Sequence, residues 1–186
     1  GATGGIGKEI SIKLLECGCN LFLTSQNEKK MKVLVKNLQK SNKESTIFFK
    51  SGDLTKNKDI KKIILESYKK ISNIDILINC AGLFPVKQVK NTTIKDFDDC
   101  FDVNIKAAFI FSKEFSKEMI QKKWGRIVNI GSSSSYNGFK NTSIYCASKH
   151  AMLGFSKSID EEFRKYGIRT FTVSPGSVKT KMGKKV

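Results

Sequence analysis

The sequence predicts an α/β fold built on a doubly wound parallel sheet with helices on both faces. Three observations predict it. Short apolar runs alternate along the chain with longer stretches of helical period, the pattern of βαβ units. One run, Ile74-Asp75-Ile76-Leu77-Ile78-Asn79, is nearly continuous in apolar residues, as a parallel strand buried on both faces should be. A glycine-rich turn, Gly1-Ala2-Thr3-Gly4-Gly5-Ile6-Gly7, leads directly into the first helical pattern.

Taken in order, the first helix is expected over 8–16 with Ile10, Leu14 and Leu15 inward. A short strand follows at 21–24, then a helix over 28–40 with Met31, Val33, Leu34 and Leu38 inward. Residues 46–50 read as the next strand, 58–70 as a helix and 74–79 as the buried strand. Two helices are expected at 94–100 and 105–121, a buried strand at 126–130, a long helix over 144–166 and a strand at 169–173. No internal linker, repeat or low-complexity block interrupts this series, so residues 1–186 are expected to form a single, partial domain. A phosphate-holding glycine loop normally follows a strand, and little follows residue 173. The expectation is therefore a sheet recorded without its first and last strands.

Composition narrows the function classes. The formal charge is +17, but only three of the 34 basic residues are arginine, and the lysines are scattered over the whole length. Nucleic-acid readers concentrate charge on one face and use arginine for bidentate contacts, so nucleic acid is not expected as a primary partner. Five cysteines, odd in number and irregularly spaced, with the single histidine His150, give no zinc-ligand spacing. No metal is expected. No apolar run is long enough to span a bilayer and no secretory pattern opens the chain, so no membrane partner is expected and a reducing cytoplasm is the default.

The chemistry concentrates in Tyr145-Cys146-Ala147-Ser148-Lys149. Four residues apart in a helix, Tyr145 and Lys149 share one face. An ammonium ~4 Å from the phenol at an effective dielectric of ~20 favours the phenolate by at most roughly 4 kcal/mol. That would bring the tyrosine toward physiological pH, where general acid–base catalysis is most effective. The glycine turn permits close approach of the backbone to a pyrophosphate, with the amino-terminal N–H groups of the next helix facing the anion. Asn79-Cys80-Ala81-Gly82 closes the buried strand at its carboxyl end, where open α/β sheets bind ligands.

With these motifs in this order, the chain resembles the short-chain dehydrogenase/reductase family, and within it the 3-oxoacyl-carrier-protein reductase-like members. The resemblance runs from Gly1 to about Met182 and implies a Rossmann-type fold. Gly1, Thr3, Gly5, Ile6 and Gly7 fall on the family's cofactor loop; Ser25 and Gln26 fall at the ribose end of the second strand. Asp53 and Leu54 match the adenine-holding position, and Asn79, Ala81 and Gly82 match the Asn-x-Ala-Gly signature. Pro175, Gly176, Val178 and Thr180 match the segment that packs on nicotinamide. The implied catalytic tetrad is Asn104, Ser132, Tyr145 and Lys149, with Ser132 thirteen residues before Tyr145; Ser133, Ser134 and Ser135 fit that spacing less well. By this resemblance Tyr145 exchanges the proton, Lys149 lowers its pKa and holds the nicotinamide ribose, Ser132 bonds the substrate oxygen, and Asn104 positions a relay water.

The resemblance implies an NAD(P)-dependent oxidoreductase interconverting a carbonyl and a secondary alcohol, with 3-oxoacyl thioesters as one substrate class. At the second strand Thr24-Ser25-Gln26-Asn27 carries no acid, which favours NADP(H) over NAD(H). The alternative is a nucleotide-sensing protein without turnover; the complete tetrad speaks against it. Related epimerases and dehydratases share the Tyr–Lys pair, but the Gly-x-x-x-Gly-x-Gly spacing favours the oxidoreductase branch. Family members assemble as dimers or tetramers through helices corresponding to 105–121 and 144–166. Phe109, Phe111, Phe115 and Phe155 could serve either such an interface or the core, and Tyr136, Phe139 and Phe84 either the substrate pocket or loop packing.

Overall fold

The computed structural model describes residues 1–42, 44–180, 182 and 183. Helices and strands alternate: α1 (Gly5–Glu16), β1 (Leu21–Ser25), α2 (Glu28–Ser41), β2 (Ile47–Ser51), α3 (Asn57–Lys70) and β3 (Ile76–Asn79). There follow α4 (Ile94–Phe101), α5 (Ala107–Lys122), β4 (Gly125–Ile130), α6 (Ser143–Phe163) and β5 (Ile168–Val173). Every strand pairing is parallel, β1 with β2 in one sheet and β3-β4-β5 in the other. This is a Rossmann-type α/β architecture. The residues group into two compact units, one of Gly1–Asn73 with Lys179, Thr180, Met182 and Gly183, the other of Ile74–Val178.

In the first unit, α2 buries Met31, Leu34, Val35 and Leu38, the i, i+3, i+4, i+7 stripe of an amphipathic helix. Val33, expected inward, is 61% exposed, because that stripe lies over Val35 instead. Asn27 caps the helix by accepting from the Lys30 N–H at 2.9 Å. The buried stripe of α1 is Gly7, Ser11 and Leu15; Ile10 and Leu14 are only half-buried. Small residues there let the helix lie close to its neighbours, and the Ser11 hydroxyl is absorbed by donating to the Gly7 carbonyl at 2.8 Å. The helix also begins three residues earlier than its apolar pattern, so Gly5 and Gly7 belong to its first two turns.

In the second unit β4 is the central strand, with Ile127 and Ile130 buried. The expected two-sided burial of the 74–79 run does not occur. Leu77 is buried and Ile76 is 39% exposed, and among the described residues β3 pairs with β4. The gap expected between the helices at 94–100 and 105–121 is instead a π-helical turn, Asp102–Lys106, that makes α4 and α5 continuous. Such turns project one extra residue out of register; here they carry Asn104. The long helix keeps α-geometry to Phe163 and tightens to a 3₁₀ turn over Arg164–Tyr166. Gly167, at φ +74°, ends it. Phe111 and Phe115 are core residues, whereas Phe109 is half exposed and meets Phe155 edge-on at 6.2 Å.

Candidate functional site

The first unit assembles its expected residues at the carboxyl ends of β1 and β2. Thr3 and Ser25 share a hydrogen bond of 2.6 Å between their hydroxyls, and the Ala2 N–H donates to the Thr24 carbonyl at 3.0 Å. These bonds fold the glycine turn against the end of β1. Gly7 is required by packing: a Cβ there would collide with the Gly1 carbonyl oxygen. A Cβ on Gly5 would stand 2.6 Å from the Thr180 methyl. Gly4 offers no side-chain cap and the first turn of α1 holds no acid, so the positive end of the helix dipole is not neutralised by side chains. Ile6 is half-buried beside this turn.

Asp53 accepts from the Thr55 N–H and hydroxyl, at 3.0 and 2.9 Å. The Thr55 backbone bond, chiefly, holds its carboxyl below the usual aspartate range, and the Gln26 side chain adds a smaller hydrogen bond. Gln26 and Asp53 are thereby linked at the strand ends, with Leu54 half-buried next to them. No carboxylate occupies the end of β1 itself, where Gln26 and Asn27 are both exposed.

In the second unit the four tetrad positions lie on three different elements. Ser132 follows β4, Tyr145 and Lys149 lie on α6, and Asn104 lies on the π turn. All but Ser132 are buried, with Lys149 5% exposed and Asn104 1%. Burial raises the Tyr145 pKa, with a hydrogen bond from Ser132 as the counteracting effect. Phe84 packs edge-on to the Tyr145 ring at 4.5 Å. The expected depression of Tyr145 by Lys149 is not what this arrangement produces. The ammonium sits 5.7 Å from the Tyr145 ring centroid and donates instead to the Ile130 carbonyl at 2.7 Å. Burial in turn lowers the lysine's own pKa to about 8. A phenol screened from water is held in its neutral, protonated form.

The Asn79 side chain looks inward: its Nδ2 donates to Asn129 Oδ1 at 2.8 Å, and Asn129 donates to Ser156 Oγ at 2.8 Å. This buried polar chain ties β3 and β4 to α6. Ala81 and Gly82 follow in a half-buried loop, and a Cβ on Gly82 would stand 3.5 Å from Asn104 Oδ1 and 4.0 Å from Lys149 Nζ. Pro175 accepts from the Ser133 N–H at 2.9 Å, which fixes the turn after β5 to the turn that carries Ser132. Gly176 and Val178 are exposed beyond it, as are Tyr136 and Phe139. Ser134 and Ser135 are buried; Ser135 Oγ accepts from the Ser132 N–H at 3.3 Å.

Pattern reading passed over Asn129, Ser156, Ser148 and Cys100. Each is a polar or thiol group on a buried face, and that signal, a hydrogen-bonding side chain at an inward position, could have found them. His150 is exposed, with Nδ1 2.9 Å from the Cys146 carbonyl. Among the described residues no group of three or more His, Cys, Asp or Glu side chains could hold a metal ion. No helix among them is long and apolar enough to cross a membrane.

Parallel α/β units, one with a glycine turn heading its first helix and the other with a buried Tyr–Lys helix, are features of a nucleotide-binding oxidoreductase class. The chain belongs to the short-chain dehydrogenase family, whose model matches residues 1–186. It is 36% identical, over 100% of its length and 73% of the relative's, to the 3-oxoacyl-[acyl-carrier-protein] reductase FabG of Rickettsia typhi. Among solved structures it resembles a metagenomic short-chain oxidoreductase in complex with NADP, at TM-score 0.89 and 28% identity, covering 96% of this chain and 80% of that one. A short-chain dehydrogenase from Sphingobium yanoikuyae in complex with NADPH matches at TM-score 0.91 and 25% identity, covering 98% and 70%. The protein is an oxidoreductase of this family.

Proposed function

We propose that residues 1–186 serve as one catalytic domain that reduces a carbonyl to a secondary alcohol, or runs the reverse, with NADP(H). The observation that carries this is the buried Tyr145 phenol, kept protonated by burial, hydrogen-bonded to Ser132 and one helical turn from Lys149. A hydride arriving at a carbonyl carbon leaves charge on oxygen, which needs hydrogen-bond donors and then a proton. Ser132 Oγ and Tyr145 Oη supply the donors, and Tyr145 gives up the proton. The Lys149 ammonium, 5.7 Å from the Tyr145 ring centroid, would partly offset the charge of the resulting phenolate, and it is available to ribose hydroxyls once it leaves the Ile130 carbonyl. Asn104 holds the π turn against the loop at Leu83.

The residues present fit a nicotinamide dinucleotide. The absence of a Cβ at Gly5 and Gly7 lets the turn pack closely on Thr180 and on the Gly1 carbonyl, and the uncapped, acid-free first turn of α1 suits a pyrophosphate. Ala81, Gly82, Pro175, Gly176, Val178 and Thr180 would line the nicotinamide portion, and Asp53 with Leu54 the adenine. When bound, the cofactor supplies the hydride. Neutral Gln26 at the end of β1 favours a 2′-phosphate over a free 2′-hydroxyl. The Rickettsia relative's printed activity makes 3-oxoacyl thioesters the first substrates to offer. Homodimers or homotetramers through α5 and α6 are part of the same proposal, and half-exposed Phe109 and Phe155 are available to such an interface.

The test is NADPH oxidation with short 3-oxoacyl thioesters and simple ketones, comparing the native protein with Tyr145→Phe. Loss of the phenolic proton donor should reduce turnover by about 10²- to 10⁴-fold, with NADPH affinity retained. Equal turnover by the two proteins would overturn the assignment.

A further inference from the structure

Ser148 lies between Tyr145 and Lys149 in sequence, is 0% exposed, and has no part in the chemistry set out above. Its hydroxyl donates to the Tyr145 carbonyl at 2.8 Å. On an isolated helix that bond is an ordinary way for a serine to absorb its own proton. Here it has a second consequence: the oxygen lone pairs are left facing away from α6, where Asn104 Nδ2 donates to them at 2.9 Å.

Asn104 is itself fully engaged by protein. Its Oδ1 accepts from the Leu83 N–H at 2.7 Å, and its Nδ2 donates to the Leu83 carbonyl at 3.0 Å. The other nearby group is the Cys100 sulfur, 3.3 Å from Nδ2, a weak acceptor. A single amide thus clasps the loop at Leu83 to the π turn, and Ser148 is the only strong acceptor that α6 offers it. The loop so held carries Gly82, whose built Cβ falls within 3.5 Å of Asn104 Oδ1 and 4.0 Å of Lys149 Nζ. Loop, π turn and catalytic helix therefore meet at one buried hydroxyl.

We propose that Ser148 is a positioning residue for the reductase site: its hydroxyl fixes the Asn104 amide, and through it the Gly82–Leu83 loop, relative to Tyr145 and Lys149. The inference rests on the proposed hydride-transfer function for its effect on rate, but its effect on the loop is independent of that reading. Placing reacting groups 1 Å out of position costs about 10²-fold in rate, so a clasp that governs the loop next to Lys149 acts on turnover.

The experiment compares the native protein with Ser148→Ala, Asn104→Ala and the double variant, in two measurements. Amide hydrogen exchange should be about five- to tenfold faster at Leu83 in Ser148→Ala, as expected for one weakened hydrogen bond, with no change at Ile127 in β4. NADPH-dependent carbonyl turnover should show a kcat about five- to tenfold lower with KM within about twofold, and the double variant should be no slower than Asn104→Ala. Unchanged exchange at Leu83, or equal acceleration at Leu83 and Ile127, would overturn the inference, the second by reducing Ser148 to general stability. So would a Ser148→Ala effect that is undiminished in the Asn104→Ala background. A native protein without turnover would defeat the functional reading alone, since the exchange data still decide the clasp.

Discussion

Lys149→Met isolates the cost of burying a charge. The ammonium is 5% exposed, and burial brings its pKa from 10.5 to about 8. At about 1.4 kcal/mol per pKa unit, the charged form is destabilised on folding by about 3 kcal/mol. The hydrogen bond to the Ile130 carbonyl returns about 1 kcal/mol of that in the native protein and is lost in the variant. Methionine fills a similar volume without charge, so at pH 7 the variant should be more stable by about 2 kcal/mol, or about 4–8 °C in Tm for a chain of this size.

The sign must change with pH. A lysine with a lowered folded pKa leaves the unfolded chain holding more protons between pH 8 and 10.5, so native stability rises across that window. The variant lacks this rise. The advantage of Lys149→Met should therefore shrink above pH 8 and vanish by about pH 9.5. Chemical unfolding of both cofactor-free proteins at pH 6, 7, 8, 9 and 9.5 reads it directly. A variant less stable at pH 7, or a difference that stays constant from pH 6 to 9.5, would refute the reasoning. Carbonyl turnover should be lost alongside the gain in stability, since functional sites commonly hold groups that destabilise the fold.

Further outcomes follow from the same geometry. Gly7→Ala forces a methyl into the Gly1 carbonyl and should destabilise by about 1–3 kcal/mol, measured by urea unfolding, with weaker NADPH binding. Gln26→Asp places a carboxylate where the 2′-phosphate is expected and should raise the NADH-to-NADPH preference by about tenfold or more, measured as the ratio of kcat/KM for the two cofactors. Asp160 accepts from the Thr170 N–H at 2.7 Å and from Arg164 at 2.7 Å, and the Thr170 bond is the main cause of its lowered pKa. That contribution is present above the ordinary aspartate range and disappears as pH falls through the folded value. Asp160→Asn should accordingly lower stability at pH 7 and have a diminishing effect toward pH 2, followed by thermal melts.

What the sequence determined by itself was the succession of elements and the family to which the chain belongs. Alternation of apolar strands with helical periods is a local property, so each of the five strands is found within one or two residues of its expected place. The Tyr145–Lys149 spacing, the glycine turn and the acid-free end of β1 are likewise local, and they carry the resemblance to the family without reference to packing. Tertiary structure decided what depends on neighbours distant in sequence. Val33 faces out while Val35 faces in. The Asn104 turn is π-helical although its residues read as a break. Electrostatics depended on it most. An i, i+4 spacing suggests an ammonium depressing a phenol, but burial acts on both groups at once and favours the neutral form of each. Solvent exclusion is set by the whole fold around α6, and no spacing within that helix encodes it.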